Sequence, residues 1–230
     1  MPSLVLGSVQ PAYMAWVPFY QRMIESDVFV YLDDVEFSKN SFHNRNKIKT
    51  AQGPVYLTVP IQYKGNSNSS IKEMPIDNKK PWRKKHWQTI LQNYSKAPFF
   101  PDLGPLLKEQ IYDCEWIYLG DLNVTLLELF REFLKINTPC YQSSKLTVIG
   151  ESNEKLVNLC HKLGAELFIV KPATDHYHPK TFFESHKIGF KYFNQNLMPY
   201  PQLHGSFIPG LSILDYAMNC GPNCNLLMKT

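Results

Sequence analysis

Two stretches of the chain show the strand, helix, strand pattern from which parallel sheets are built. In the first, residues 3 to 9 (SLVLGSV) predict a buried strand and residues 28 to 32 (VFVYL) predict another. Residues 14 to 26 between them predict a helix with Pro18 in its first turn or at a kink. This spacing fits one βαβ unit of about 30 residues, whose crossover should be right-handed.

The second stretch lies in the later part of the chain. Residues 145 to 149 (KLTVI) and 166 to 170 (ELFIV) predict strands, and the segment SNEKLVNLCHKLGA between them predicts a helix. Ser152 is a plausible N-cap of that helix, and Gly164 is expected to end it. Together the two stretches predict an α/β fold with a mostly parallel, Rossmann-like sheet and flanking helices.

The remaining elements are less regular. Strands are predicted over residues 55 to 62 and 189 to 195, and a short strand is predicted over 71 to 77. Pro60 indicates that the first of these ends at a sheet edge or a bulge. Helices are predicted from Pro81 to Tyr94, weakly over 104 to 118 with a short strand at its end, strongly over 122 to 136, and over 211 to 221. We predict a single domain over residues 1 to 230, with a smaller C-terminal subregion from about residue 172 as an open alternative.

Composition and charge narrow the classes of function. The 230 residues are 44% hydrophobic, which is enough for a full core. The net charge is +4 and the pI is about 8.7. This pI is lower than that of most dedicated nucleic-acid-binding proteins, which is more often above about 9. We therefore expect no nucleic-acid partner and favour a small anionic ligand.

The cysteines and the apolar runs indicate a compartment. The five cysteines are odd in number and irregularly spaced, which favours reduced thiols in the cytoplasm. The first ten residues lack the pattern of a signal peptide. No apolar run approaches the roughly 20 residues of a membrane helix, so we predict a cytoplasmic protein without membrane insertion.

Polar residues follow both strands of the first βαβ unit. Gln10 and Tyr13 come after the first strand, and Asp33 and Asp34 end the second. Ligands in open α/β sheets bind beyond the carboxyl ends of the strands, so we expect Gln10 and Tyr13 to contact the substrate. One of the two carboxylates should face it, because side chains alternate along a strand, and could accept a proton or hold a sugar hydroxyl or a metal. The alternatives are a structural turn at Gln10 and a solvated strand end at the acids, or an ion pair with Arg45.

The stretch FHNRNKIK, residues 42 to 49, combines planar hydrogen-bonding groups with positive charge. Arg45 presents a planar fork that suits phosphate or carboxylate, and Lys47 supplies a point charge. Asn44 and Asn46 can both donate and accept hydrogen bonds. We predict that these four residues bind an anionic substrate; the alternative is an exposed basic loop.

His86 is the strongest histidine candidate for catalysis. It follows three cations at the start of a helix, between Trp82 and Trp87. Neighbouring positive charge should favour the neutral imidazole, which could act as a general base. A half-buried structural histidine is the alternative. Lys85 is a candidate phosphate contact.

The last candidates lie near the C-terminus. Gln202 and Asp215 could contribute to the wall of a cleft, while Ser212 is expected to cap the final helix. His176 and His178 have no matching metal-ligand pattern and are expected in a surface loop. No P-loop and no GxGxxG fingerprint occurs, and we predict neither a cofactor nor a metal.

Several blocks of the chain resemble the WbqC-like family. They are QPAYMAW (10 to 16), SDVFVYLDDV (26 to 35), NRNKIK (44 to 49), LTVP (57 to 60), WRKKH (82 to 86), KAPFF (96 to 100), YPQ (200 to 202) and FIPGLSILDYAMNCG (207 to 221). The segment KPATDHYHP (171 to 179) departs from the expected Gly- and Ser-rich pattern, which bears on ligand specificity. The resemblance covers nearly the whole chain.

The resemblance implies a place in bacterial surface-polysaccharide or O-antigen assembly. It suggests a transferase that modifies a nucleotide-linked sugar or amino sugar, by acyl or aminoacyl transfer to an amine, with an acyl or aminoacyl carrier as a further partner. Arg45 and Lys47 would hold the anionic donor or sugar nucleotide, while His86 with Asp33 or Asp34 would manage the amine proton. A non-catalytic carbohydrate- or carrier-binding scaffold is the alternative, and a nucleotidyl-transfer enzyme is a third, weaker reading that rests on fold-level analogy.

Overall fold

A computed structural model describes residues 3–172, 176–195 and 197–222. These residues form two compact units built from interleaved segments. The first, here called the sheet unit, comprises Met1–Gln10, Pro18–Asp33 and Asn137–Asn196. The second, the hairpin unit, comprises Pro11–Val17, Asp34–Ile136 and Leu197–Thr230. The prediction of a single domain stays a prediction.

The secondary structure alternates between strands and helices over much of the chain. The strands are β1 (Val5–Val9), β2 (Val28–Tyr31), β3 (Arg45–Thr50), β4 (Gly53–Thr58), β5 (Cys140–Gln142), β6 (Leu167–Val170) and β7 (Gly189–Tyr192). The helices are α1 (Val17–Ile24), α2 (Trp82–Tyr94), α3 (Phe100–Leu107), α4 (Leu119–Phe133), α5 (Ser152–Leu163), α6 (Lys180–Ser185) and α7 (Ile213–Cys220).

The sheet unit contains a five-stranded sheet in the order β5-β2-β1-β6-β7, and every neighbouring pair is parallel. The predicted α/β class with a parallel sheet is therefore confirmed. Alternate residues of the strands serve opposite faces, so Leu6 and Phe168 join the larger apolar cluster. Val5 and Ile169 face the other side and pack with Phe193. Burial on both faces explains why these strands are continuous apolar runs.

Local signals account for the helix that joins the two halves of this sheet. Gly164 ends α5 in the left-handed conformation, with φ 72°, and its N–H donates to the carbonyls of the last helical turn. That conformation costs glycine little because it has no Cβ. The predicted stop is thus confirmed, whereas the predicted N-cap is wrong: Ser152 is the first helical residue and Glu151 precedes it at the cap.

The strand predicted over residues 145 to 149 is also wrong. The strand beside β2 is Cys140–Gln142, which pairs through Phe29↔Cys140 and Val30↔Tyr141, and a 3-10 turn, Ser143–Lys145, follows it. Leu146 and Val148 instead pack against the larger apolar cluster from a non-strand segment. Their apolar alternation reflects burial at the sheet face and not pairing with a neighbouring strand.

The hairpin unit contains the antiparallel pair β3 and β4, in register from Arg45↔Thr58 to Thr50↔Gly53. The basic stretch, for which an exposed loop was the alternative, is therefore largely a strand. The strand predicted over 55 to 62 is β4, which ends at Thr58. Residues 71 to 77 form only isolated bridges, such as Ile61↔Ile76. The weak helix over 104 to 118 is α3 followed by a π-helical turn, Lys108–Tyr112, without the strand expected after it.

In the residues that the structure describes, no helix combines the length and apolar character required to span a bilayer.

Candidate functional site

The hairpin unit contains a pocket of about 220 Å³ at the start of α2. Its lining includes an indole, an imidazole and two lysine side chains, and the lining residues are Thr58, Pro60, Lys80, Pro81, Trp82, Lys85 and His86. Pro81 sets the entry to α2 because its fixed φ is compatible with a helix start and it needs no amide partner. The first turn of the helix therefore places Trp82, Lys85 and His86 around one space.

His86 is held by a chain of buried hydroxyl groups. Its Nδ1 lies 2.9 Å from the Tyr13 hydroxyl, which in turn lies 3.0 Å from the Tyr112 hydroxyl. The Trp82 ring meets the imidazole edge-on, with centroids 5.4 Å apart. The predicted substrate contact Tyr13 is fully buried, so its role in this structure is to orient His86.

The imidazole is neutral at physiological pH. Burial lowers the pKa of His86 from 6.5 to about 4, while a hydrogen bond with the backbone of Thr58 acts in the opposite direction. The expected neutral form is therefore present, but its main cause is desolvation and not the neighbouring cations. A ring with the proton on Nε2 donates to the Thr58 carbonyl and accepts from Tyr13 at Nδ1.

The outer face of β3 carries two of the predicted anion-binding cations. The guanidinium carbon of Arg45 lies 5.0 Å from the centre of the Tyr56 ring, and Lys47 Nζ lies 5.4 Å from it. Arg45 also donates to the Asn40 carbonyl at 2.8 Å. Arg45 is the cross-strand partner of Thr58, which lines the pocket. The register of the hairpin thus places Arg45 next to the residue that carries one wall of the pocket.

The two asparagines of the same strand region bind backbone. Asn46 is buried and its Nδ2 donates to the carbonyls of Met14, at 2.9 Å, and of Tyr13, at 3.3 Å. Met14 has a φ of 46°, and a non-glycine residue in this region needs such support from its surroundings. Asn44 Nδ2 donates to the Val59 carbonyl at 2.8 Å. Asn46 therefore fixes the turn from which Tyr13 reaches His86.

A buried polar network that the sequence did not indicate centres on Lys49. Its Nζ donates to Gln202 Oε1 at 3.1 Å and to the carbonyls of Gly205 and Ser206 at 3.1 and 2.6 Å. The Lys49 N–H donates to the Tyr94 hydroxyl at 2.9 Å. A lysine in a basic run is normally solvated. Lys49, which pairs with Pro54 across the hairpin, is instead buried in the folded chain.

Asp215 occupies the other side of this network. Tyr94 donates to its Oδ1 at 2.7 Å and Tyr200 to its Oδ2 at 2.9 Å. Burial raises the pKa of Asp215, and the tyrosine hydrogen bonds and the charge of Lys49 oppose that rise. Of the two predicted cleft residues, Asp215 is buried and Gln202 is half-buried. They are joined through Lys49 and Tyr94.

Asp33 has a different environment, in the sheet unit. Its carboxylate accepts from the Ser143 hydroxyl, the Ser144 N–H and hydroxyl, and Gln142 Nε2, over distances of 2.7 to 3.1 Å. It fastens the end of β2 to the 3-10 turn after β5. Four hydrogen bonds to a fully buried carboxylate leave little capacity to accept a substrate proton.

The predicted site residues thus fall into two groups. Gln10 is exposed directly after β1 and belongs, with Asp33, to the sheet unit. Asp34, which is partly buried, belongs with Arg45 and His86 to the hairpin unit. Lys85 and His86 line one pocket. The catalytic roles of His86, Asp33 and Asp34 stay predictions.

The chemistry of thiols and metals is limited within the described part of the chain. Cys114, Cys140, Cys160 and Cys220 are not joined in disulfide bonds. Cys224 lies outside the described residues, so its spacing from Cys220 has no structural counterpart here. Residues 3–172, 176–195 and 197–222 contain no group of three or more His, Cys, Asp or Glu side chains that could hold a metal ion.

Comparisons with known proteins give the chain a family. The model of the WbqC-like protein family matches residues 10–225. The chain is also 32% identical over 214 residues to the uncharacterized protein Rv1507c of Mycobacterium tuberculosis, and the match covers 93% of this chain and 92% of that protein. No solved structure matches the chain. The family match spans most of the sequence, including the hairpin and the start of α2, and the chain therefore belongs to the WbqC-like protein family.

Proposed function

We propose that the chain is a transferase that modifies a nucleotide-linked amino sugar, by acyl or aminoacyl transfer to its amine, during assembly of a bacterial surface polysaccharide. The pocket at the start of α2 binds the sugar. One observation carries this proposal: an indole, a neutral imidazole and two lysines surround the same 220 Å³ space.

Each lining group suits a part of such a ligand. The Trp82 ring offers an apolar face against which the C–H face of a sugar can pack. Lys80 and Lys85 provide positive charge for a phosphate or a carboxylate. Thr58 supplies a hydroxyl, and its neighbour Arg45 adds a bidentate donor on the same hairpin. A sugar that packs its C–H face on the indole and directs an anionic group to the lysines matches this combination.

The proposed reaction needs a group that handles one proton. The sugar amine attacks the acyl carbonyl, the new C–N bond forms as the bond to the carrier breaks, and the amine proton passes by way of a base to the departing carrier group. His86 is neutral and lines the pocket, which are the two requirements for that base. An anionic substrate bound beside it raises its pKa from about 4 towards the working pH. Asp34 is the second candidate in the same unit.

A second candidate function is a non-catalytic binding protein of the same pathway. One observation favours it: the contacts with Tyr13 and the backbone of Thr58 occupy both ring nitrogens of His86. A histidine held in this way shapes a pocket without exchanging protons. Catalysis instead requires that substrate displace the Thr58 contact.

Turnover distinguishes the two functions. The purified chain is incubated with UDP-linked amino sugars and with acyl-thioester or aminoacyl donors, and the product mass is followed. A mass increase by one acyl or aminoacyl group is expected. His86→Gln should reduce the rate at least about 100-fold, as expected for loss of a general base. His204→Gln is the matched control, because His204 belongs to the same unit but binds the Asn93 carbonyl outside the pocket lining.

Two results would contradict the catalytic proposal. Saturable binding of the sugar nucleotide without any product would support the binding protein. Equal rates for the wild type and His86→Gln would remove His86 from the chemistry and with it the assigned site.

A further inference from the structure

The strand order of the sheet unit contains a topological switch point. From β1 the chain moves to β2 and β5 on one side of the sheet, and later to β6 and β7 on the other side. Connections therefore leave β1 and β6 in opposite directions. In open parallel sheets, ligands bind in the crevice outside the carboxyl ends of the strands where this reversal occurs.

Three basic side chains come to that edge from different elements. Arg22 extends from α1, and its Nη1 donates to the carbonyl of Ser8, near the end of β1, at 3.3 Å. Its guanidinium also lies over the ring of Phe193, 5.9 Å from the centroid. Lys171 directly follows β6. His178 lies in the segment before α6 and contacts the Phe168 ring of β6 edge-on.

The three groups are close enough to influence one another electrostatically. Burial lowers the pKa of both Lys171 and His178, and the positive charge of Arg22 lowers both further. Burial also lowers the pKa of Arg22 itself, to about 10, so the guanidinium stays charged at neutral pH. Partly buried like charges repel, and a bound anion would replace that repulsion with attraction.

The surroundings hold this cluster in place. His178 Nδ1 lies 2.8 Å from Asn153 Oδ1, and Asn153 Nδ2 donates to the Tyr177 carbonyl at 2.9 Å. Asn153 belongs to the first turn of α5. Within the described residues, no carboxylate forms an ion pair with Arg22 or His178. Arg22 and His178 are thus preorganised by neutral contacts, as a site for an anion requires.

We infer that the carboxyl ends of β1 and β6 form a phosphate-binding site, in which Arg22, Lys171 and His178 bind the phosphate of a nucleotide or a sugar phosphate. Arg22 presents the remaining N–H groups of its planar fork, and Lys171 adds a point charge. His178 Nδ1–H donates to Asn153 Oδ1, so its Nε2 donates to the phosphate only in the imidazolium form, which the bound anion favours by raising the pKa of His178. The site uses none of the residues that line the α2 pocket, so it stands independently of the proposed function.

The test uses isothermal titration of the full chain with inorganic pyrophosphate at low salt. We expect a dissociation constant below about 1 mM, that is, a binding free energy beyond about −4 kcal/mol. Lys171→Gln should weaken binding about tenfold or more, as expected for loss of a charge-assisted hydrogen bond. Lys171→Arg keeps the charge and should stay within about threefold of the wild type.

Lys162→Gln is the matched control, because it removes the same charge from an exposed position in the last turn of α5. Its affinity for pyrophosphate should equal that of the wild type. UDP and glucose 1-phosphate, titrated separately, distinguish the two sources of the phosphate, and uridine alone should not bind.

Two outcomes would overturn the inference. The first is the absence of saturable pyrophosphate binding by the folded wild type. The second is an equal loss of affinity in Lys162→Gln and Lys171→Gln, which would assign the binding to overall charge and not to the switch point.

Discussion

Acidification from pH 7 to pH 5 should destabilise the hairpin unit, because His86 is buried as a neutral ring. Burial lowers its pKa from 6.5 to about 4. Between these two values the unfolded chain binds a proton that the folded chain does not. The free energy of unfolding therefore rises with pH in this window. The contribution of His86 is complete above about pH 6.5 and is lost as the pH falls towards 4.

The size of the effect follows from the shift. One pKa unit corresponds to about 1.36 kcal/mol, so the whole shift is worth at most about 3 kcal/mol and about 2 kcal/mol between pH 7 and pH 5. His43 adds a contribution of similar size, because burial also lowers its pKa from 6.5 to about 4. Its Nδ1 accepts from the Ser38 N–H at 3.2 Å and so keeps the ring neutral.

Urea unfolding followed by tryptophan fluorescence measures this effect selectively. All four tryptophans, at positions 16, 82, 87 and 116, belong to the hairpin unit. In His86→Gln, the loss of unfolding free energy between pH 7 and pH 5 should be smaller than in the wild type by about 2 kcal/mol. Adding His43→Gln should remove most of the remainder. Carboxylate titrations are common to all three proteins and cancel in the comparison.

Equal pH dependence in the wild type and His86→Gln would refute the reasoning. A direct check is the NMR titration of the His86 ring, whose midpoint should lie near 4. A midpoint near 6.5 would mean that the ring is exposed to solvent and that the pocket geometry described above is wrong.

Four further predictions concern single residues. Arg45→Ala should abolish the proposed transfer but change the unfolding free energy by less than about 1 kcal/mol, since its contacts are on the surface; a larger loss in urea unfolding would make it architectural. Asp33→Ala strands four hydrogen-bond donors and should cost about 3 kcal/mol or more by circular dichroism; unchanged stability would instead favour a catalytic role. Asp215→Ala should lower the melting temperature more than Asp215→Asn, which keeps one acceptor oxygen; equal effects would contradict the network. Gly120→Ala places a Cβ 2.4 Å from the Lys72 Cα and should destabilise by about 3 kcal/mol, in the range for overpacking; wild-type stability would mean that the Lys72 backbone moves freely.

Elements with strong local signals were predictable. The first strand, helix and strand, the helix that opens after Pro81, and the Gly164 stop all follow from hydrophobic periodicity and backbone preferences over a few residues. Pairing was less predictable. Residues 145 to 149 have the composition of a strand, yet the neighbour of β2 is Cys140–Gln142, because partner choice depends on the rest of the sheet.

The candidate site was predictable only in part, because the sequence shows residue types but not their tertiary contacts. The composition of residues 44 to 47 indicated anion binding, but it did not reveal that Asn46 bonds the backbone beneath Tyr13. Nothing in the sequence distinguished Lys49 from the other cations of its stretch, and its contact with Gln202 joins residues 153 positions apart.

The sequence by itself determined the α/β class, most helices and the family to which the chain belongs, because periodicity, capping residues and short blocks of residue types are local properties. The tertiary structure decided which polar groups are buried and which meet. Asp33 accepts hydrogen bonds that hold the turn after β5, and Asp215 accepts hydrogen bonds from two tyrosines. Arg22 lies close enough to Lys171 and His178 to lower the pKa of both. Burial and long-range proximity set hydrogen bonding and charge state, and neither can be read from positions along the chain.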